Sequence, residues 1–370
     1  MKRRTSPRPT DPRRRDLLRA LALVPAAAAI GGCGGSGSPA MRAAAARTWR
    51  MGFSPTPPRL DTAVVLQGVD LWSTRAELAI IHEELPWTDL LAGMSPAAIL
   101  DRDKVQLVSY LRGKNLSLIF MADLTDGLSR ADEAPQLRAL GASITDPAVR
   151  QLYRDYVLAV ARTLAPEYLG LAAETNLIRA AAPAALYAAV VQAANDAESD
   201  LRAAGAAAAR FVSVQVETAW GLLGGPGSYV GIDTDFAHFP FIALLGLSSY
   251  PYFAFSQPES IPGNYYSRLL LGRNVPALVA EGGWTSASVG NVTSSPDEQA
   301  RYITRHADLL DSIGALGLIQ LVFADLDIAS LPPPLPANLP LFAEIGLTDS
   351  QFTPKPALAR WDALFARPRR

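Results

Sequence analysis

Eight short apolar runs punctuate this chain, and they limit its fold more than any other feature. They are Trp49–Ser54, Leu78–His82, Leu116–Ala122, Tyr168–Glu174, Phe211–Glu217, Ile242–Tyr250, Val275–Glu281 and Gly317–Phe323. Several are nearly all apolar, as strands buried on both faces are. Segments of helical period lie between them. Asp146-Pro147 opens one, with Leu152, Tyr156, Val157, Val160 and Leu164 on a single stripe. Pro183 opens another, carrying Leu186, Val190, Ala194, Ala197 and Leu201. Ser295-Pro296-Asp297-Glu298 combines an N-cap serine, a first-turn proline and a glutamate three residues on. Strand–helix alternation repeated eight times predicts one α/β domain, a (β/α)8 TIM barrel with a parallel sheet inside and helices outside. The first helix, after Asp61, and the fifth, near Asp233–Phe239, have the weakest patterns. Pro332-Pro333-Pro334-Leu335-Pro336 reads as a stiff loop after the last strand, and Pro356–Phe365 as the final helix. A doubly wound open sheet would want a glycine-rich turn after its first strand. Phe53-Ser54-Pro55-Thr56-Pro57-Pro58 is nothing like one.

The N-terminal segment is of another kind. Residues 1–19 are rich in arginine, and an apolar run from Leu17 to Ile30 follows. That run is interrupted by Pro25 and is shorter than the roughly 20 residues a spanning helix needs. These are the parts of an export signal. Arg14-Arg15-Asp16-Leu17-Leu18-Arg19 resembles the twin-arginine export signature, and Ile30-Gly31-Gly32-Cys33 resembles a bacterial lipobox. The resemblance implies lipidation of Cys33 after cleavage, and attachment to a membrane of the bacterial cell envelope. Cys33 is the only cysteine, so no internal disulfide is possible. The expected organisation is a signal over 1–32, a glycine- and serine-rich flexible tether over 33–47, and the barrel over 48–370.

The formal net charge of the whole chain is −1. Loss of the arginine-rich leader makes the mature part distinctly acidic, which leaves no basic footprint for nucleic acid. The barrel is expected to act as a monomer.

Active sites of such barrels lie at the C-terminal ends of the strands. The ionisable residues there are His82 with Glu83 and Glu84, Asp123, Glu174, Glu217, Glu281 and Asp325. Glu174 and Glu281 end almost wholly apolar strands, four and seven, which face each other across an eight-stranded barrel. Burial and a neighbouring carboxylate both raise a carboxyl pKa. Two such groups flanking a glycosidic bond divide the work: one protonates the leaving oxygen, and the other attacks the anomeric carbon.

At these residues the chain resembles the clan A glycoside hydrolases. Leu278-Val279-Ala280-Glu281-Gly282-Gly283-Trp284-Thr285-Ser286 is similar to the nucleophile segment of families 17 and 53. Ser249-Tyr250-Pro251-Tyr252 resembles the strand-six segment whose tyrosine touches the nucleophile, and Lys355-Pro356-Ala357-Leu358 with Trp361 resembles the start of the last helix. The resemblance implies a retaining hydrolase of β-linked glycans, with Glu174 as acid/base, Glu281 as nucleophile and Tyr250 orienting Glu281. Asn176, Glu217, Tyr250, Trp284, Asp123 and His82 are the candidate sugar-binding residues. The clan's asparagine before the acid/base, which binds the sugar 2-hydroxyl, is replaced by Ala173, and Phe323 stands near the place of a frequent strand-eight tryptophan. Those departures keep a second reading open: a non-catalytic, glycan-binding lipoprotein on the same barrel.

Trp284, Trp220, Trp87, Tyr252 and Phe253 lie just beyond strand ends, where rings either stack on sugars or pack loops onto the barrel. His82, Glu84, Asp123 and Glu217 can be drawn together as a metal set, but no paired-histidine spacing accompanies them. Gly224-Gly225-Pro226-Gly227 lacks the lysine and Ser/Thr of a phosphate loop. No metal or cofactor is expected, and the expected partner is an oligo- or polysaccharide.

Overall fold

The structure is a computed structural model that describes residues 46–370. The leader, Cys33 and all but the end of the tether lie outside the described residues. Arg47, read as the last tether residue, is part of the folded body. Its N–H donates to the Pro368 carbonyl, its carbonyl accepts from the Arg370 N–H, and its buried guanidinium holds Glu77 at 2.8 Å.

Eight parallel strands close into a barrel in sequence order. They are β1 (Arg50–Phe53), β2 (Leu78–Glu84), β3 (Ser117–Asp123), β4 (Tyr168–Ala172), β5 (Ala209–Gln215), β6 (Leu245–Ser249), β7 (Ala277–Gly282) and β8 (Gly317–Gln320). β1 closes the ring by pairing with β8, Arg50 opposite Gly317. All eight expected strands are present.

Strand side chains alternate between two faces. Leu78 and Ile80 of β2, Ile119 and Met121 of β3, and Leu278 and Ala280 of β7 fill the barrel with Phe211 and Ile319. Their neighbours Ala79, Phe120 and Val279 belong to the larger core between strands and helices. The interior is filled by setting large residues against glycines. A Cβ on Gly170 would sit 2.4 Å from the Met121 sulfur, and one on Gly246 would sit 2.8 Å from the Phe211 ring.

Local chemistry sets the helix starts. The Asp61 carboxylate caps the helix Thr62–Ser73, whose pattern is weak in the sequence. Asp146 caps Pro147–Thr163, and Ser295 caps Pro296–Ile313, its hydroxyl also donating to the Glu298 carboxylate. The expected eightfold alternation is incomplete. β5 is followed only by the short helices Val216–Ala219 and Asp233–His238. Between β6 and β7 the described residues form 3-10 turns at Pro251–Phe253 and Pro258–Ser260 and no α-helix. Pro251, Pro258 and Pro262 remove the N–H groups a longer helix would need there. The buried rings of Tyr265 and Tyr266 cover the sheet instead.

Candidate active site

Three side chains reach the mouth by simple parity. Two residues beyond Ile80, Met121 and Gly246 along the inward face stand His82, Asp123 and Ser248. Glu174 and Glu281 do not arrive this way. Counted from Leu278 and Ala280, Glu281 would face the helices. A register shift in β7 corrects it: Leu247 pairs with Val279, but Ser248 pairs with Glu281, so Ala280 is an extra residue. β4 carries the matching irregularity, with Gly170 opposite Phe211 and Ala172 opposite Val212. Bulges re-aim side chains in this way beside active sites. Glu174 then takes a left-handed backbone conformation, φ 50°, which stores strain in a residue with a side chain.

The result is one linked cluster. Ser248 Oγ lies 2.6 Å from Glu174 Oε1 and 2.7 Å from Glu281 Oε1. Two oxygens sharing one hydroxyl stand no more than roughly 5.3 Å apart, within reach of the 5–5.5 Å of retaining glycosidases. A serine hydroxyl has a single proton to give. It donates to one glutamate at a time, and a proton on the other glutamate would turn the second contact into a hydrogen bond to Ser248.

The surroundings decide which glutamate carries it. His82 donates from Nε2 to Asp123 at 2.8 Å and from Nδ1 to Glu281 at 2.9 Å. Both ring nitrogens face carboxylates, so the ring is an imidazolium. Burial opposes that charge, but Glu281 and Asp123 outweigh it and lift the histidine to about 10. Arg130 donates Nη1 to Asp123 at 2.6 Å and Nε to Glu174 Oε2 at 2.7 Å. Burial raises both glutamates. For Glu281 the adjacent His82 charge prevails and its pKa is lowered. For Glu174 burial, reinforced by the Glu281 charge, prevails over Arg130, and its pKa is raised. Asp123 is held far below the usual range, since Arg130 and His82 overcome its burial. With the proton on Glu174, two cations face two anions and the buried cluster is neutral.

The other expected residues go elsewhere. Glu217 is fully buried in a separate set of partners: Tyr265 Oη at 2.6 Å, Ser249 Oγ at 3.3 Å, the Tyr250 N–H at 3.1 Å, and the Gln215 amide. Its donors are neutral, and burial pushes it up to about 7. The four residues drawn as a metal set are thus scattered: His82 and Asp123 lie in one cluster, Glu217 in the other, and Glu84 in neither, accepting from the Gln136 N–H. Asn176 has its amide taken up by the Gln215 main chain, accepting at 2.7 Å and donating at 2.8 Å, so it fastens β4's exit to β5. Trp284 is 1% exposed and packs against Tyr302 and Tyr252, its indole N–H given to Ser294. Its ring is a loop anchor, not a free sugar platform. Trp87 is likewise fully buried. Glu281 is held by His82 and Ser248, and Tyr250, whose hydroxyl feels the Glu281 charge, has its N–H tied to Glu217 and its ring against Phe342. Asp325 pairs with Lys355, and burial lifts it to about 8.

Arg130 and Ser248 were not among the expected residues. Arg130 sits in the loop after β3, at φ 55°, with no strand-end signal to mark it. Ser248 did have a signal: it lies two residues past Gly246 on the inward face.

No family model matches the chain, and no curated protein matches it. Solved structures do share its barrel. The exo-β-1,4-mannosidase Op5Man5 of Opitutaceae bacterium strain TAV5 superposes with a TM-score of 0.63 at 16% identity, over 87% of this chain and 60% of that one. The GH5_18 protein of Streptomyces cattleya, solved with GlcNAc, gives 0.63 at 17% identity, over 88% and 83%. A GH5_18 variant of Bifidobacterium longum subsp. longum ATCC 55813, solved with Manb1-4GlcNAc, gives 0.60 at 15%, over 88% and 80%. At these identities the likeness is one of fold. The present chain spans about three fifths of the mannosidase.

Proposed function

We propose that the protein is a retaining β-glycoside hydrolase in which Glu281 is the nucleophile and Glu174 the acid/base. The observation that carries this reading is the Ser248 hydroxyl shared by two carboxyls, which sets a close separation between them. In the first step a Glu281 oxygen bonds to the anomeric carbon as the glycosidic C–O bond breaks. The Glu174 proton passes to the departing oxygen, and the sugar remains as an ester on Glu281. In the second step Glu174, now ionised, takes a proton from water as the water oxygen attacks the same carbon. The ester bond breaks, Glu281 is again a carboxylate, and Glu174 is again protonated. Two inversions give net retention. His82 keeps Glu281 ionised for attack. When the ester neutralises Glu281, the charge that adds to burial in raising Glu174 is gone, which eases its ionisation for the second step.

Variants of the pair test the reading on aryl β-glycosides and β-glucans. Glu281→Ala abolishes turnover of every substrate. Glu174→Ala costs about 10²–10⁴-fold on natural glycans, the usual worth of a general acid, but much less on nitrophenyl glycosides. Added azide then restores the rate and gives a β-glycosyl azide. Full activity of Glu174→Ala on natural glycans would sink the assignment. Ala173, inside the barrel where the clan has asparagine, favours the binding-only alternative. A wild type that binds an oligosaccharide but hydrolyses no member of the panel would establish it.

The lipobox-like Ile30-Gly31-Gly32-Cys33 supports attachment to the cell envelope through lipidated Cys33. Cys33→Ser is expected to move the protein from the membrane to the soluble fraction. Unchanged membrane association refutes the anchor.

A further inference from the structure

The loop after β8 runs from Leu326 to Ile345 and touches the loops after β1, β3, β6 and β7, the last where the Ser286 N–H and hydroxyl donate to the Glu344 carbonyl. Near its start the Asp327 N–H donates to the Pro58 carbonyl, in the loop after β1, at 2.8 Å. Asn338 donates its amide to the Leu128 carbonyl, in the loop after β3, at 2.9 Å. The Leu341 carbonyl accepts from the Tyr252 hydroxyl, beyond β6, at 2.9 Å. The Phe342 ring sits 5.0 Å from Tyr250 and 5.7 Å from Phe253. Asn338 and Leu341 are three residues apart, so this stretch of backbone spans at most about 10 Å. One short bridge thus joins the loops of β3 and β6.

Strand order locates the bridge. In a closed ring running β1 to β8, the line from β3 to β6 leaves β4 on one side and β7 on the other. The bridge therefore links two sectors of the mouth on a line that separates the strands carrying Glu174 and Glu281. Its two ends stand on the site's own walls. Leu128 is two residues from Arg130, which holds Glu174. Tyr250 is close enough to the site that, after burial, the Glu281 charge does most to push its hydroxyl up, with Tyr252 and Glu174 adding to it. Consistent with a roof, Glu174 and Glu281 are each only 6% exposed. Pro340 stiffens the bridge, and Pro332, Pro333, Pro334 and Pro336 stiffen the segment leading to it, since each fixes its own φ. Its root is tied by the Leu326 N–H to the Ala343 carbonyl at 2.9 Å and by the Gly346 N–H to Asp325 at 3.0 Å.

We infer that this strap makes the site a chamber for chain ends, so that the enzyme removes single sugars from the non-reducing end and does not cut inside chains. The inference rests on the retaining-glycosidase reading. An internal linkage needs a groove open on both sides of the scissile bond, and a polysaccharide entering here would have to thread beneath the Asn338–Phe342 bridge. A terminal residue needs only one opening.

The test uses the full protein and pentasaccharides labelled at the reducing end: β-1,4-gluco, β-1,4-manno and β-1,3-gluco. The expected first labelled product is the tetrasaccharide, followed stepwise by shorter ones. Labelled di- and trisaccharides appearing together with the tetrasaccharide overturn the inference. In Asn338→Ala/Phe342→Ala the ratio of internal to terminal cuts should rise about five-fold or more, because specificity is a difference between two modes of binding. Asn338→Ala alone, at an exposed position, gives the same direction if the double variant folds poorly. An unchanged ratio in a folded variant also overturns the strap's role. Internal cutting by the wild type removes this inference and leaves the glycosidase reading intact. Absence of cleavage of both pentasaccharides and aryl glycosides removes that reading itself.

Discussion

Two buried carboxylate clusters lie one strand apart at this barrel mouth, and they are built from different materials. Around Glu174, Glu281 and Asp123 the partners are His82 and Arg130, both charged, with Ser248 between the glutamates. Around Glu217 the direct partners are neutral: two hydroxyls, an amide and a main-chain N–H. Equal burial therefore has unequal results. The cations lower Asp123 and Glu281, while burial and the Glu281 charge raise Glu174 in spite of Arg130. With neutral donors alone, Glu217 rises to about 7. The first arrangement sets a carboxyl of raised pKa beside an ionised one. The second builds a frame: Glu217 holds the Tyr250 main chain and Ser249, and so fixes the end of β6 that presents Ser248.

The largest expected effect comes from removing a charge from the first cluster. His82→Ala leaves Asp123 with one partner fewer and Glu281 without its cation. Breaking one side of a buried pair costs about 3–5 kcal/mol. The histidine's pKa is raised from 6.5 to about 10, so its stabilisation is complete below pH 6.5 and fades as pH climbs toward 10. Denaturant unfolding should show the gap between wild type and variant narrowing over that window. The acidic limb of kcat/KM should also move to higher pH, because Glu281 loses the charge that lowers it. A gap independent of pH would mean that the ring is uncharged.

Glu217→Gln probes the second cluster with a smaller change. The glutamine that replaces it can accept from Gln215 and Tyr250, while Tyr265 and Ser249 turn to accept from its amide. Glu217 is raised from 4.5 to about 7 in the folded state, so its contribution is full below pH 4.5 and is lost as pH rises through 7. Wild type should lose up to about 3 kcal/mol relative to the variant between pH 5 and 8, since each tenfold change in proton affinity is worth about 1.4 kcal/mol. Thermal unfolding of the two proteins across that range measures it. Parallel pH profiles would show that Glu217 stays ionised and that the two clusters are electrostatically alike.

Ser248→Ala is the mildest cut and the sharpest for the shared proton. It removes a hydrogen bond to a charged group, worth about 1.5–3 kcal/mol, but leaves every ion pair in place. Without the bridge the two carboxyls lose their mediated contact, and the two limbs of the kcat/KM profile should change in spacing. A profile superimposable on that of the wild type would mean that Ser248 does not carry the link between Glu174 and Glu281.

The sequence by itself determined the barrel. Strand and helix periods are local, so eight apolar runs and the caps at Asp61, Asp146 and Ser295 were legible without any knowledge of what packs where. It also brought Glu174 and Glu281 to strand ends on one face, because the C-terminal end of every parallel strand lies at the same mouth. Tertiary structure decided the rest. Parity counted along β7 aims Glu281 outward, and only pairing with β6 creates the shift that turns it in. Asn176 and Trp284 carry sugar-binding chemistry in sequence, but the Gln215 main chain and the Tyr302 ring claim them first. Arg130 enters the site from a loop whose course depends on closure of the whole barrel. Periodicity reports which face a residue occupies within its own element. Which partners meet at the mouth is set by register and loop closure between distant segments, and no local pattern encodes that.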